Sequence, residues 1–240
     1  MKTLKLVMLA LVAGGMLTAC GGGEAAQNAE QPQEQEQSAE ALMEQEKFDN
    51  LVASYEDPSR DSWQQPDVLV SMLGDLEGKV VADIGAGSGY FTFRLAESAE
   101  KVVAIDIDQR FLDHIEGRKE GEGANNVETR LTTPENPGLK ADEADIVLVV
   151  NTFHLIDEKV EWLAKLYEGM KENSRLVVVD YKKYGFIPQG PNSDHKFEPE
   201  EVEAFMMEAG FEMARSSSEE LEYQYIVKTK KGGPAPQAAS

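Results

Sequence analysis

The stretch VVADIGAGSGYFTFRLA, residues 80–96, decides the fold of this chain. Its first part belongs to a short apolar run, 79–84, which predicts a buried strand. The residues Gly-Ala-Gly-Ser-Gly follow at 85–89, and glycine allows a sharp turn and the close approach of a ligand. The segment 90–98 predicts a helix, whose N-terminus favours negative charge such as pyrophosphate or carboxylate. This order indicates a turn that holds a ligand.

Strands and helices alternate along the chain around this turn. The predicted strands are 79–84, 102–107, 127–131, 145–150, 176–180, 211–215 and 221–228. The first predicted helix contains Phe48 and Tyr55, and a short one follows Pro66 after a polar loop at 56–67. The other predicted helices are 90–98, 109–116, 157–170 and 199–209, with Asp157 as the cap of the third of these. Continuous apolar strands between helices favour an α/β fold with a doubly wound, mostly parallel sheet. The last two strands have no helix between them, so we expect an antiparallel hairpin and one reversed strand near an edge.

The spacing of the glycines narrows the choice of ligand. A dinucleotide-binding turn reads G-x-G-x-x-G, whereas this chain reads G-x-G-x-G and has the bulky Tyr90 where the third glycine is needed. The phosphate-binding pattern G-x-x-x-x-G-K-[ST] does not occur in the sequence. Asp83 precedes the turn, and Asp106 ends the next strand, where a carboxylate accepts hydrogen bonds from a ribose diol. The alternative is that the glycines serve only close packing of helix on strand.

These residues resemble the class I S-adenosylmethionine-dependent methyltransferases. VADIGAGSG is similar to the first motif of that family and VVAIDID to the second, while DIVLVVNTFHLI and MKENSRLVVVDYKK resemble the regions of its fourth and fifth strands. Glu172-Asn173-Ser174 stands where Pro-Gly-Gly is common. The resemblance covers residues 68–230. It implies a seven-stranded Rossmann-like sheet, S-adenosyl-L-methionine as cofactor, and methyl transfer as the activity.

The resemblance also implies roles for single residues. The predicted cofactor-binding residues are Asp83, Gly85, Ala86, Gly87, Gly89, Asp106, Ile107, Thr132 and Asn151. Asp83 and the turn border the methionine end of the cofactor, Asp106 binds the ribose hydroxyls, and Ile107 packs on the adenine. Many family members have an acid after the third strand to bond the adenine amino group. This chain has Leu131-Thr132-Thr133-Pro134-Glu135 there, so Thr132 or a backbone group is expected to substitute.

His154 and His195 are the predicted catalytic residues. His154 lies in NTFHLI, in the loop that borders the methyl group in the family fold, and His195 lies in a Pro/Gly-rich loop that we expect to close over the substrate. The alternatives are a loop-capping role for His154 and a solvated position for His195. His114 is expected on a helix surface, and the three histidines are too scattered to predict a metal site. Trp63 is expected either to wall the pocket or to pack in a lid.

The composition restricts the partners. The chain has 240 residues, of which 41% are hydrophobic, and 44 acidic residues against 23 basic ones give a formal net charge of −21. An acidic surface repels phosphate backbones, so we expect no nucleic-acid partner and favour a small-molecule acceptor. The single cysteine excludes an internal disulfide bond.

The N-terminal segment has the pattern of a lipoprotein signal. Lys2 and Lys5 precede an apolar run, and Leu17-Thr18-Ala19-Cys20 resembles the bacterial lipobox, in which cleavage leaves a lipid on the cysteine. An ordinary signal peptide or a simple membrane anchor is the alternative. The predicted organisation is a lipoprotein signal peptide at 1–19, a disordered tether at 20–40, a methyltransferase domain with an N-terminal helical lid at 41–230, and a disordered tail at 231–240. We therefore expect an exported protein, held at a membrane through this lipid only, on the periplasmic face of the outer membrane if the organism has two membranes.

Two other functions compete with methyl transfer. S-adenosylmethionine is made in the cytosol, so export raises the alternative of a non-catalytic binding or interaction lipoprotein on the methyltransferase fold. The presence of Asp83, Asp106 and the glycines argues against a loss of cofactor binding. A nucleotide-dependent oxidoreductase is disfavoured by Tyr90. The exported location also makes an amphiphilic acceptor reasonable.

Overall fold

The computed structural model describes residues 31–188 and 190–232. The chain divides into two compact units, Met1–Lys47 and Phe48–Ser240. Their boundary falls inside helix α1 (Gln31–Tyr55). In the first unit the described residues are helical, and the side chains of 41–47 are exposed. The sheet and the cavity described below belong to the second unit.

Helix α1 begins within the segment that was predicted to be a disordered tether. Residues 31–40 are mostly Gln, Glu and Ala, and their high helix propensity explains why a segment without apolar residues is helical here. Residues 20–30, the signal segment 1–19 and most of the tail, 233–240, lie outside the described residues, so those assignments stay predictions. Within 31–188 and 190–232, no helix combines the length and the apolar character that crossing a membrane requires.

The second unit is built on a seven-stranded sheet in the order β3-β2-β1-β4-β5-β7-β6. Its strands are β1 (Val80–Ile84), β2 (Lys101–Asp106), β3 (Val127–Leu131), β4 (Ala144–Val150), β5 (Met170–Tyr181), β6 (Arg215–Ser217) and β7 (Gln224–Lys230). Neighbouring strands from β3 to β5 are parallel, and β7 is antiparallel to both β5 and β6. The predicted α/β fold, a doubly wound and mostly parallel sheet with a reversed strand near one edge, is therefore confirmed.

Helices connect these strands and cover both faces of the sheet. They are α2 (Arg60–Gln64), α3 (Pro66–Met72), α4 (Thr92–Ala96), α5 (Gln109–Glu122), α6 (Lys159–Gly169) and α7 (Pro199–Glu208), with 3-10 turns at Phe153–Leu155 and Ser193–His195. Successive residues of a strand point to opposite faces, so Val81 and Ala82 belong to different buried clusters. Leu69 of α3 packs in the first cluster, and Leu163 of α6 and Val202 of α7 pack in the second. This explains why β1, β2, β4 and the second half of β5 are mostly apolar and buried.

Some predicted boundaries were wrong. Glu158, and not Asp157, is the N-cap residue of α6, and Met170 already begins β5 by pairing with Ala144. The last hairpin is shifted towards the C-terminus because Phe211 is buried in the core instead of starting β6. The predicted polar loop 56–67 contains helix α2, whose last residue Gln64 is fully buried. No regular helix lies between β3 and β4, a segment that is described in full.

The order of the strands decides where a ligand binds. After β1 the chain continues on one side to β2, whereas β4 lies on the other side of β1. Ligands of open α/β sheets bind at such a switch point, outside the carboxyl ends of the strands. The glycine turn after β1, Asp106 at the end of β2 and Asp180 near the end of β5 all lie at this edge.

Candidate active site

A cavity of about 940 Å³ lies at this carboxyl edge of the sheet. All of the predicted cofactor-binding residues except Gly89 line it, and so does the predicted catalytic His154. The cavity is also lined by a segment that we call the roof segment, residues 54–64, which contains the end of α1 and helix α2. The glycine turn and the strand ends thus form one wall, and the roof segment contributes another.

The glycine turn has a backbone that only glycine tolerates well. Gly85 and Gly87 have φ angles of +74° and +53°. The Gly85 N–H donates to the Ile105 carbonyl at 2.8 Å, which ties the turn to β2. A Cβ atom on Gly85 would lie 2.1 Å from the Thr152 hydroxyl oxygen. Position 85 therefore needs glycine both for its φ angle and for its contact with the loop after β4.

Gly89 has a different role from the one predicted. It lies outside the lining of the cavity, and a Cβ atom there would lie 2.8 Å from Phe93 and 3.0 Å from Ile115. Ile115 belongs to helix α5, so Gly89 lets the chain pack closely beneath the turn. The packing alternative thus applies to this one glycine, and its predicted contact with the cofactor has no support in the geometry.

Asp106 is held in one orientation by two backbone groups. The Gly87 N–H donates to Oδ2 at 2.8 Å, and the Asp108 N–H donates to Oδ1 at 3.0 Å. A carboxylate has about four acceptor positions, so two remain for hydroxyl donors. The neighbouring Ile107 is apolar, is 58% exposed and lines the same cavity. This pair fits a ribose diol beside a flat apolar ring.

Thr132 follows β3 and lines the cavity near the end of β2. Its N–H donates to the Asp106 carbonyl at 3.0 Å, and its hydroxyl donates to the Asn136 carbonyl at 2.8 Å. Because the hydroxyl hydrogen is used in that bond, the oxygen is left as an acceptor. An acceptor at this position suits the adenine amino group, which is the role predicted for Thr132.

Asp83 is a buried carboxylate at the end of β1. It is 3% exposed, and the Thr92 hydroxyl donates to its Oδ2 at 2.7 Å. Burial raises the pKa of Asp83 to about 6, while the hydrogen bond from Thr92 opposes this shift. Asp83 is therefore mostly ionised at neutral pH and gives the cavity a negative charge. Thr92 was not predicted, since a threonine on a short helix has no distinguishing pattern.

His154 forms a pair with Asp180. The imidazole Nδ1 lies 2.9 Å from Asp180 Oδ1, and the backbone N–H of His154 donates to Oδ2 at 2.9 Å. Asp180 is 2% exposed, and within the described residues Nε2 has no hydrogen-bond partner. A carboxylate on Nδ1–H fixes the tautomer in which Nε2 is the proton acceptor. The sequence did not indicate Asp180, because it lies 26 residues away on β5.

The other histidines do not join this pair. His195 is exposed in the 3-10 turn Ser193–His195 and does not line the cavity, so the geometry does not support its predicted catalytic role. His114 is not fully on the surface as expected: it is half-buried and lies 3.0 Å from Glu56. Across the described part of the chain, no group of three or more His, Cys, Asp or Glu side chains could hold a metal ion.

The roof segment adds aromatic and charged groups. Trp63 lines the cavity with its ring centroid 6.4 Å from that of Tyr181, so the structure favours the pocket-wall interpretation of Trp63. Arg60 also lines the cavity, and its guanidinium carbon lies 3.8 Å from the centroid of the Tyr90 ring. Tyr90, which the sequence marked only as a mismatch to dinucleotide-binding turns, thus supports Arg60.

Three amide side chains form a closed ring beneath the roof segment. Gln64 Nε2 donates to Gln224 Oε1 at 2.7 Å, Gln224 donates to Asn151 Oδ1, and Asn151 Nδ2 donates to Gln64 Oε1 at 3.3 Å. Gln64 and Gln224 are fully buried. The predicted cofactor residue Asn151 lines the cavity, but its amide is engaged in this ring and its φ angle is +55°. Asn151 therefore joins α2 to the ends of β4 and β7.

The comparisons with known proteins agree with this geometry. The family model for a methyltransferase domain matches residues 82–176. The solved structure of a SAM-dependent methyltransferase from Aquifex aeolicus has 25% sequence identity and a TM-score of 0.68, covering 75% of this chain and 96% of that chain. The fold is thus that of the Rossmann-like methyltransferases.

Two curated proteins are also similar over part of their length. Phosphoethanolamine N-methyltransferase 1 of Arabidopsis thaliana is 32% identical over 114 residues, which cover 45% of this chain and 22% of the relative. The tRNA U34 carboxymethyltransferase of Desulfotalea psychrophila is 28% identical over 121 residues, 50% of this chain and 37% of the relative. This chain therefore spans well under half the length of either relative. Together with the family match, the comparisons show that this chain is similar to S-adenosylmethionine-dependent methyltransferases.

Proposed function

We propose that this protein transfers a methyl group from S-adenosylmethionine to a small-molecule acceptor. The observation that carries this proposal is the convergence on one cavity of the glycine turn, Asp106 and the His154–Asp180 pair. Asp106 is suited to the adenosine part, the glycine turn and Asp83 to the methionine end, and His154 provides a base in the same cavity. A volume of about 940 Å³ leaves room for the cofactor and a small acceptor together.

The residues of the chain have separable tasks in this reaction. The cofactor supplies a methyl group on a positively charged sulfur. Asp106 and Thr132 orient the adenosine part, and the ionised Asp83 stabilises the positive charge. Where the acceptor must lose a proton on being methylated, His154 Nε2 would receive that proton. Asp180 keeps the imidazole in the required tautomer and stabilises its charge.

Calorimetric titration of residues 41–232 with S-adenosylmethionine, S-adenosylhomocysteine and NADH tests the cofactor. Binding of both sulfur compounds without binding of NADH is expected. A folded protein that binds neither sulfur compound contradicts the proposal and favours the non-catalytic binding lipoprotein. Tight NADH binding would instead favour an oxidoreductase.

Catalysis is tested by the release of S-adenosylhomocysteine in the presence of small amines, phenols, thiols and carboxylic acids. His154→Ala is expected to lower turnover by about a hundredfold or more, the usual contribution of a general base, with cofactor affinity near that of the wild type. His114→Ala is the matched control, because His114 lies outside the cavity lining. Equal turnover in the two variants would remove His154 from the mechanism.

We further propose that the domain is anchored by a lipid on Cys20 after export, on the periplasmic face of the outer membrane in an organism with two membranes. The support is the basic start, the apolar run and the segment Leu17-Thr18-Ala19-Cys20. Globomycin, which blocks lipoprotein signal cleavage, should make a larger precursor accumulate. Cys20→Ser should leave the precursor uncleaved or release the protein from membranes. A Cys20→Ser protein that is processed and fractionates like the wild type would refute the anchor.

The acceptor is expected to be a small molecule because of charge and location. A net charge of −21 opposes the approach of nucleic acids, and a membrane anchor brings the cavity near amphiphilic molecules. The two curated relatives are named for phosphoethanolamine and for tRNA, so their names do not agree on an acceptor class.

A further inference from the structure

The cavity contains a positive charge that the proposed mechanism does not use. Among its described lining residues, Arg60 is the one lysine or arginine, whereas Asp57, Asp83, Asp106 and Asp108 are acidic. In a chain with almost twice as many acidic as basic residues, an arginine in a ligand cavity needs an explanation. Its immediate surroundings provide one.

Arg60 has no carboxylate partner in the described part of the chain. Its Nη1 donates to the Tyr55 carbonyl at 2.9 Å and its Nη2 to Gln64 Oε1 at 3.4 Å, while Nε is buried without a partner. No Asp or Glu oxygen among the described residues lies within 4.0 Å of the guanidinium. By contrast, Arg94 stacks on the same Tyr90 ring and has Asp61 at 3.1 Å. Both guanidinium groups pack on one ring, but only Arg94 is neutralised by this protein.

A partly buried guanidinium without an anion is costly unless a ligand supplies one. Removing a charge from water is unfavourable, and stacking on an aromatic ring offsets only part of the cost. Arginine has five N–H donors, of which the two hydrogen bonds above use two. The remaining donors and the fixed plane of the guanidinium are suited to a carboxylate. The lowered pKa of Arg60, caused by its burial, agrees with a cation that lacks a protein partner.

The position of Arg60 indicates which group of the ligand supplies the anion. Arg60 stacks on Tyr90, directly after the glycine turn, and its charge acts on Asp83. These are the residues at the methionine end of the proposed cofactor site, whereas Ile107 and Thr132 form the adenine end. Asp83 suits the positive ammonium and sulfonium groups at the methionine end. The carboxylate of the methionine portion is negative, so it needs a positively charged side chain.

Resting on the proposed function, we infer that Arg60 binds the carboxylate of the cofactor's methionine portion. The amide ring positions it: Gln64, which accepts from Arg60, is held by Gln224 and Asn151. The roof segment thus contributes a charged ligand contact from outside the motifs that follow the strands.

Two probes that differ in the carboxylate test this inference. S-adenosylhomocysteine carries the amino-acid portion, whereas 5′-methylthioadenosine has the same adenosine and sulfur without it. Arg60→Gln is expected to weaken S-adenosylhomocysteine binding by about ten- to a hundredfold, the usual range for charge-assisted hydrogen bonds. Binding of 5′-methylthioadenosine should change by less than about twofold, because it never contacts the guanidinium.

Arg94→Gln is the matched control, because it removes the other guanidinium from the Tyr90 ring without touching the cavity lining. It should leave both affinities unchanged. Arg60→Lys keeps the charge but loses the planar pair of donors, so it should restore part of the lost S-adenosylhomocysteine affinity. A cooperative unfolding transition in urea, measured for each variant and compared with that of the wild type, checks that the variant is folded.

Three outcomes would overturn the inference. Full affinity of Arg60→Gln for S-adenosylhomocysteine would assign Arg60 to an anionic acceptor or to a purely structural role. Equal losses for both probes would show a general collapse of the roof segment. A loss in Arg94→Gln as large as that in Arg60→Gln would implicate the ring instead of the charge. A wild-type protein that binds neither probe would refute the proposed function itself, which separates the two failures.

Discussion

The glycine turn and the roof segment face the same cavity but are stabilised in different ways. The turn is held by backbone groups and by residues close in sequence: the hydrogen bond from Gly87 to Asp106 spans 19 residues. The roof segment is held by side chains that are distant in sequence: its amide bonds to Asn151 and Gln224 span 87 and 160 residues, and its Glu56 and Asp61 pair with Arg118 and Arg94. A local, backbone-determined wall tolerates few substitutions at its glycines, whereas the roof segment depends on a few distant side chains.

This difference predicts separate failure modes for the two walls. Damage to the turn should disturb the interior of the sheet, because β1 and β2 each have a neighbouring strand on both sides. Damage to the amide ring should loosen the roof segment first, because few buried bonds connect it to the rest of the unit. The expected effects below run from the largest to the smallest.

Gly85→Ala should have the largest effect. The added Cβ would lie 2.1 Å from Thr152 Oγ1 at a φ angle of +74°. Overpacking and left-handed strain each cost about 1–3 kcal/mol, so the free energy of unfolding measured in urea should fall by roughly 2–6 kcal/mol. Gly78→Ala is the matched control, with φ of +67° and nothing within 4 Å. Equal losses at the two positions would mean that only backbone strain matters and that the turn is not tightly packed.

Asp106→Ala should act on binding more than on folding. Losing charge-assisted hydrogen bonds to the ribose should weaken S-adenosylhomocysteine binding about ten- to a hundredfold in calorimetry. Asp145→Asn is the control at the opposite edge of the sheet, where Asp145 accepts from the Val80 N–H at 2.9 Å. It should change stability and leave affinity unaltered. Wild-type affinity in Asp106→Ala would contradict the assignment of Asp106 to the adenosine part.

The two walls also differ in what the sequence could predict. The apolar runs of β1 and β2 are visible in the sequence. Asp83 and Asp106 lie at the ends of these strands, and the turn and Ile107 follow them directly. The order of the strands brings these ends together, so these positions were predictable. Asp180, Arg60 and Gln224 have no local pattern, since their roles come from neighbours that only the folded chain provides. Asn151 was predicted at the cavity correctly, but its engagement with two glutamines was not visible. His195 was misplaced because a Pro/Gly-rich loop does not reveal which way it folds.

Gln224→Leu should have a smaller effect, concentrated in the roof segment. It removes both bonds that Gln224 makes and leaves Gln64 Nε2 and Asn151 Oδ1 without their partners. Asn151 lines the cavity, where water can replace its lost partner, so the main cost is the unsatisfied buried Gln64 Nε2, about 1–3 kcal/mol, and hydrogen exchange should accelerate at residues 54–64. Exchange in β1 should change much less. Gln109→Leu on the exposed side of α5 serves as the control, and uniform acceleration throughout the sheet would contradict a locally held roof segment.

The smallest expected effect is a pH dependence that separates folding from binding. Burial raises the pKa of Asp83 to about 6, above its ordinary value of 3.8. A raised carboxyl pKa stabilises the fold fully below pH 3.8, and this contribution is lost as the pH rises through about 6. Binding has the opposite sign, because only ionised Asp83 attracts the positive charges of S-adenosylmethionine.

Acidification from pH 7.5 to 5.5 should therefore weaken S-adenosylmethionine binding by roughly fourfold, the fall in ionised Asp83 for a pKa near 6. The Asp83→Asn protein should bind S-adenosylmethionine weakly at both pH values and should lose the pH dependence. His154 and the other titratable groups remain in this variant, so the comparison assigns the pH dependence to Asp83. Thr92→Val removes the hydrogen bond that opposes the shift, so its midpoint should move to higher pH. An Asp83→Asn protein with the wild-type pH profile would show that another group of the cavity controls the charge at this wall.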